Sequence, residues 1–489
     1  MLRPALPFLA AASLLLTLTG SASAAVDPSL LAGMKARSIG PAGMSGRITS
    51  IDAVESNPDI IYVGSASGGL WKTVDGGDTW VPLFDDQPVA SIGAVAIFQA
   101  DPDIIWAGTG EGNPRNSVSL GDGVYRSLDA GKTWTRLGLE KTERIHRIVL
   151  HPTNPDVAWV AALGSAWADS PDRGIYKTED GGKSWTRALS ADEQTGACDV
   201  VIDPRNPNHL IASLWTYRRQ PFVFKSGGPG SSLHITWDGG RTWKKLTPED
   251  GLPAGDLGRI GLGISRSNPD IVYAMVEAKK SALLRSEDGG RTWKTVNDRY
   301  DVDPRPFYFG EVHVDPVLPD RVYALDYNVR VSNDGGRSFE KLIDGNVIHG
   351  DFHAFWADPR NPEHVIVGGD GGLGISHNRG RTARAVGNLP VGQFYHVAVD
   401  MEQPYNVYGG LQDNGSWRGP SSAWQVGGVR NHFWLNIGGG DGFETLPDLG
   451  DPRFFYAEEQ GGSLGRYEMP SGLTRDIKPA PPEGTPPTR

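Results

Sequence analysis

The chain has 489 residues, 64 of them glycine and 15 tryptophan, and a formal net charge of −11 with no basic block. That charge speaks against nucleic acid as a partner, because phosphate binding needs a basic face. A single cysteine, Cys198, excludes an intrachain disulfide, and many glycines with many aromatics point to tight turns between short strands.

In chain order, "MLRPALPFLAAASLLLTLTGSASA" carries one early arginine, an apolar run through Leu18, and small residues at Ala22 and Ala24. This predicts a secretory signal peptide over 1–24, cleaved after Ala24. No later stretch reaches the roughly 18 apolar residues of a membrane-spanning helix. The expectation is an exported protein, periplasmic or secreted, with no transmembrane segment. Export without disulfides suits a bacterial envelope protein large enough to rest on its core.

A lead-in over 25–45 precedes the first repeat unit, "GRITSIDAVESNPDIIYVGSASGGLWKTVDGGDTWVPL". Strand-like runs at Ile48–Val54, Ile60–Gly64, Gly69–Thr73 and Thr79–Leu83 alternate with Asn-Pro-Asp and Gly-rich turns. The acidic end of this unit, "TVDGGDTW" from Thr73, recurs as "SLDAGKTW", "TEDGGKSW", "TWDGGRTW", "SEDGGRTW" and "SNDGGRSF". Their first aspartates, Asp75, Asp129, Asp180, Asp238, Asp288 and Asp334, are 54, 51, 58, 50 and 46 residues apart, close to the length of a propeller blade. A second motif, "NPDIIYVG" from Asn57 through "DPRFFYAE" from Asp451, runs in phase and brings the count to nine units.

Four short antiparallel strands per unit predict an all-β fold, a β-propeller of four-stranded blades with seven or more blades. Blades 1–7 occupy 46–390. Two further blade-like units occupy 391–470, either in the same ring or opening a second propeller. The proline-rich end, 471–489, reads as an extended linker.

Each acidic motif falls between the third and fourth strands. Its Ser or Thr and its Asp can bond the turn backbone, glycine tolerates positive φ, and the last aromatic enters the core between blades. A set of six metal or acid sites would need further ligands that the eight-residue copies lack. "DAGKT" (129–133) and "DGGKS" (180–184) imitate a phosphate-binding loop, but the leading glycine is missing and no helix follows.

These copies resemble the Asp-box, or BNR repeat, of sialidases, some glycoside hydrolases and sortilin-type sorting receptors, over nearly all of the chain. "GGLQDNGSWRGPS" (409–421), "GNLPVGQFYHVAVD" (387–400) and "HGDFHAFWADP" (349–359) resemble exported bacterial proteins labelled sortilin-like or glycosyl-hydrolase-like. Members of that group continue past the "PPEGTPP" segment, so the resemblance implies a C-terminally truncated or short version. Sialidases carry an early Arg-Ile-Pro element, which "RSIGP" (37–41) does not match. Xyloglucan-cleaving two-propeller enzymes carry an Asp two residues ahead of a Gly-Gly pair in their first blade. Here Ala66 of "SASGGLW" holds that position.

In a propeller the third-to-fourth turns lie on the face opposite the usual ligand site. Candidates therefore come from the second-to-third-strand loops and the starts of innermost strands. Trp167, Tyr217, Arg218 and Arg219, on long loops, are candidates to stack on sugars or to hold an acidic peptide, with ordinary interblade packing as the alternative, and Glu111 is an acidic ligand-binding candidate on the same face with a turn-forming alternative. His349, Asp351 and His353, at i, i+2 and i+4, leave one strand face together if the strand is regular. They make a candidate site for zinc or another divalent ion, the alternative being a polar strand lining a wet channel. Asp370, Asp413 and Asp441 are candidate catalytic carboxylates for glycoside hydrolysis, each with a turn-forming alternative. The sequence thus leaves three functions open: a binder of peptide, protein or glycan, a hydrolase acting on an extracellular polymer, or an assembly scaffold.

Overall fold

The computed structural model describes residues 27–479 apart from Pro28, Ser29, Leu31, Ala32, Lys35, Ser45, Asn116, Pro221, Asp344 and Pro470. The expected signal peptide lies outside the described residues, as does the end of the proline-rich tail from Ala480. No helix among the described residues is long and apolar enough to cross a membrane. The chain divides into a unit ending at Ser38, without strands among its described residues, and a unit from Ile39 that holds every sheet.

Blade 1 sets the pattern. Strands Ile48–Ala53, Ile61–Ser65, Leu70–Thr73 and Val81–Pro82 pair antiparallel in chain order, close to the runs expected from sequence. Val63 faces both Ile51 and Trp71, so apolar rows cross the blade. The meander repeats to give nine sheets among the described residues, at 48–82, 92–136, 145–189, 195–245, 260–297, 311–343, 352–385, 394–438 and 442–476. Blade 4 adds a hairpin, its second strand running from Asn206 to Gln220 and pairing onward with Val223–Ser226.

Packing decides how the sheets close. Second strands such as Ile61–Ser65, Ile105–Thr109 and Ala158–Ala162 are buried along their whole length, because a neighbouring blade covers each face. Seven apolar clusters fill seven seams, each between consecutive blades from 1 to 7. The last seam joins blade 7 to blade 1, where Ile366, Leu373 and Ile375 meet Ile48, Ile61 and Val63. Burying each such side chain contributes ~1.5–3 kcal/mol. Seven blades thus close one ring. Blades 8 and 9 pack on each other through a smaller core of Tyr408, Phe455 and Ala457.

The acidic motifs form the third-to-fourth turns. Thr73 Oγ1 donates to Asp75 Oδ1 at 2.6 Å and accepts the Gly77 N–H at 3.0 Å. Asp75 accepts the Thr79 N–H at 2.9 Å and its hydroxyl at 2.6 Å. Asp129, Asp180, Asp238, Asp288 and Asp334 bond in the same way. Gly76 and Gly77 take φ of +67° and +93°, where a side chain would be strained. The closing aromatic of each turn, from Trp80 through Phe339, enters the seam shared with the preceding blade. A seventh turn exists at Ser376, with Asn378 in the aspartate position.

Candidate functional site

An antiparallel meander puts first-to-second and third-to-fourth turns on one face and second-to-third loops on the other. On the latter face, at the channel mouth, buried charge converges on Arg47, the residue before the innermost strand of blade 1. Its Nε donates to Asp370 Oδ1 at 2.9 Å and its Nη1 to Glu111 Oε1 at 2.9 Å. Tyr308 donates its hydroxyl to Asp370 Oδ2 at 2.7 Å. Asp413 Oδ2, from blade 8, lies 3.6 Å from Arg47 Nη2 and 3.5 Å from Arg115 Nη2. Arg115 and Arg305 both lie over the Tyr308 ring, at 5.1 and 4.4 Å from its centroid.

The electrostatics separate the three carboxylates. Burial by itself would raise Asp370, but Arg47 and His353 outweigh it and hold that carboxyl well below its ordinary range. Burial raises Glu111, with Arg47 opposing. Asp413 is pushed up to about 7, first by burial and then by the Asp370 charge. Removing one partner of such a buried pair costs about 3–5 kcal/mol, because the other charge stays behind in a poor solvent.

A second cluster lies deeper in the channel. Glu311 is within 3.5 Å of His146, 3.3 Å of His313, and 3.7 Å of both Arg147 and Arg259. Burial and then the Arg259 charge hold His146 well below its usual pKa, so it is neutral. The cavity here measures ≈ 40 Å³. Ligand pockets run to ~300–1,000 Å³, so this one suits a water or two and no ligand.

Several sequence expectations change at this point. Glu111 is not a free loop side chain; it is fully buried on Arg47. Tyr217 is 1% exposed, packed against Trp215 with Arg144 and Arg173 over its ring, so it cannot stack on a sugar. Arg218 pairs with Asp169, and Arg219 lies over Phe224. Trp167 remains exposed at 38%. Asp370 is fully buried among Arg47, Tyr308 and His353, which engage both of its oxygens. Asp441 accepts the Asp413 N–H at 2.8 Å and so shapes the loop that carries Asp413.

His349, Asp351 and His353 do not share a strand face. The strand begins only at Phe352, Asp351 has φ +64°, and a bulge follows between Phe352 and Ala354. His349 is exposed in the preceding turn, while His353 is buried 3.1 Å from Asp370. No group of three or more His, Cys, Asp or Glu among the described residues is arranged to hold a metal ion.

Sequence reasoning missed Arg47, Arg115, Tyr308 and Arg259. A signal was available, because Arg-Ile stands in phase at Arg47-Ile48, Arg144-Ile145 and Arg259-Ile260, opening the innermost strands of blades 1, 3 and 5. All three arginines are buried at 3% exposure or less.

Residues 122–251 match the family model described as Sortilin-Vps10, "Sortilin, neurotensin receptor 3". A xyloglucanase of Paenibacillus sp is 24% identical over 213 residues, 40% of this chain and 20% of that protein. A probable oligoxyloglucan-reducing end-specific xyloglucanase of Neosartorya fischeri is 22% identical over 323 residues, 64% of this chain and 35% of that protein. The matches thus span about a third or less of the length of these relatives. Among solved structures, an ancestral GH74 enzyme superposes with a TM-score of 0.62 at 15% identity, covering 90% of this chain and 64% of that one. The GH74 enzyme of Niastella koreensis gives 0.55 at 15% identity, covering 90% and 74%. At such identities the structural likeness speaks for the fold alone. The protein is a β-propeller, and within it residues 122–251 are similar to the Sortilin-Vps10 family.

Proposed function

We propose that this protein is exported and binds a glycan polymer across the loop face of its seven-bladed ring. The observation that carries this reading is the division of labour at the mouth. Asp370 and Glu111 are consumed by Arg47, while the exposed side chains of the second-to-third-strand connections include the aromatic Trp167, Phe222 and Tyr327. Flat exposed rings on rigid blades stack on sugar faces without an ordering cost. The relatives named xyloglucanases make xyloglucan the first glycan to try. Electrophoresis of the purified protein through gels containing xyloglucan or polygalacturonate tests the reading. Retarded migration, relieved in Trp167→Ala and Tyr327→Ala, is expected; free migration in every glycan overturns it.

A glycoside hydrolase reading rests on Asp413, whose carboxyl, pushed up to about 7, would suit a general acid near neutrality. Release of reducing ends from xyloglucan that disappears in Asp413→Asn would establish it. No release leaves binding alone.

A further inference from the structure

Asp413 reaches the mouth from outside the closed ring. Its loop is the second-to-third-strand connection of blade 8, and it is anchored on both sides. Ser117 donates to Gln412 Oε1 at 2.8 Å, and Asn414 donates to the Asp370 carbonyl at 3.0 Å. The carboxylate between these anchors is held less well than its neighbours. Its contacts with Arg47 and Arg115 are 3.6 and 3.5 Å, against 2.9 Å for Arg47 on either Asp370 or Glu111. Charge-assisted hydrogen bonds are ordinarily ~2.7–2.9 Å. Asp413 also sits at φ +62°, in the left-handed region that aspartate tolerates better than most residues with a side chain.

Charge makes the same distinction. Three carboxylates, Glu111, Asp370 and Asp413, surround two guanidinium groups, Arg47 and Arg115. Arg47 keeps two close partners if Asp413 withdraws, whereas Asp413 is the carboxylate seated against Arg115. Arg115 lies over the Tyr308 ring beside Arg305, which restrains its planar fork, and its side chain keeps 17% of its surface exposed, against 2% for Arg47.

We propose that Arg115, backed by Arg47, is the carboxylate subsite of the loop face, that Asp413 occupies it as an internal stand-in, and that the ligand is a glycan bearing uronic acid whose carboxylate displaces Asp413. This rests on the glycan-binding reading above. A uronate fits better than an acidic peptide, because the face offers exposed rings to stack on while the channel cavity beneath is ≈ 40 Å³, too small for an anchoring peptide side chain.

Calorimetric titration of the full chain at pH 8, where Asp413 is ionised, tests this with three probes: trigalacturonate, a neutral xyloglucan heptasaccharide and hexaglutamate. Trigalacturonate is expected to bind at least tenfold more tightly than the heptasaccharide, with an affinity that falls as salt rises. Arg115→Gln should lose that tenfold preference and leave the heptasaccharide affinity unchanged. Asp413→Asn removes the competitor and should bind trigalacturonate severalfold more tightly than the wild type. A merely structural Asp413 would give no gain, and thermal melts check that both variants are folded. Equal binding of both sugars, with Arg115→Gln indifferent, sinks the uronate subsite and leaves glycan binding standing. Binding of hexaglutamate alone, or of none of the three, overturns both.

Discussion

Asp75 and Asp413 are both aspartates in loops, yet their surroundings move them in opposite directions. Hydrogen bonds from the Thr73 and Thr79 side chains and the Thr79 backbone pull Asp75 down to about 2, and equivalent bonds do the same for Asp129 and Asp180. A carboxyl lowered on folding stabilises above its unfolded pKa, and that contribution is lost as pH falls through the folded value. Asp52, Asp303 and Asp413 are pushed up to about 7, chiefly by burial. For these the folded state binds the proton more tightly, so stability drains away as pH rises from about 4 to 7. Urea midpoints should therefore peak near pH 4, falling towards pH 7.5 on one side and pH 2 on the other. Asp75→Ala should shallow only the acid limb and Asp413→Asn only the neutral one; a flat profile contradicts both assignments. Motif repetition made the turn-forming role of Asp75 legible in the sequence. Nothing local to "LQDNGSW" announces that Asp413 meets Arg47 and Arg115, residues some 300 or more positions away.

The recurring element is a turn that delivers an aromatic into a seam. Trp293, 4% exposed, packs in the seam of blades 4 and 5 and donates its indole N–H to Gly290 at 3.0 Å. Trp293→Ala should cost ~3–5 kcal/mol in equilibrium unfolding, whereas Leu128→Ala, at a site 65% exposed in the blade 2 turn, should change little. Similar losses at the two positions would contradict the stapling role. The strand runs of blade 1 and the turn chemistry were readable because period-two alternation and Asp-Gly-Gly signals are local. The seventh turn was obscured by composition. Asn378 keeps one acceptor, for the Thr382 N–H at 2.9 Å, and turns its amide to donate to Thr382 Oγ1 at 2.8 Å. Regular alternation failed at His349, Asp351 and His353 because innermost strands bulge near their starts, in blades 1, 2, 7 and 8 alike. An inserted residue reverses the face of everything beyond it.

At the scale of the whole molecule, the ring and the last two blades differ in how they bury themselves. Each ring blade is covered on both faces, while Val397, Val399 and Leu446 of blades 8 and 9 stand 46–62% exposed. Calorimetry should accordingly resolve two transitions, the lower one belonging to 391–477. Phe455→Ala should depress that transition and leave the upper one in place, while a single transition shifted as a whole would tie the two parts into one cooperative unit. The sequence by itself determined the repeat, the four-stranded blade and the chemistry of its turns, because all of these follow from local periodicity and short-range hydrogen bonding. Only the tertiary structure decided that the ring closes at seven, that Asp370 is an ion-pair partner rather than an acid, and that an arginine before the first strand gathers carboxylates from blades 2, 7 and 8. Closure and charge pairing depend on which distant side chains share a buried, low-dielectric space, and no spacing along the chain encodes that.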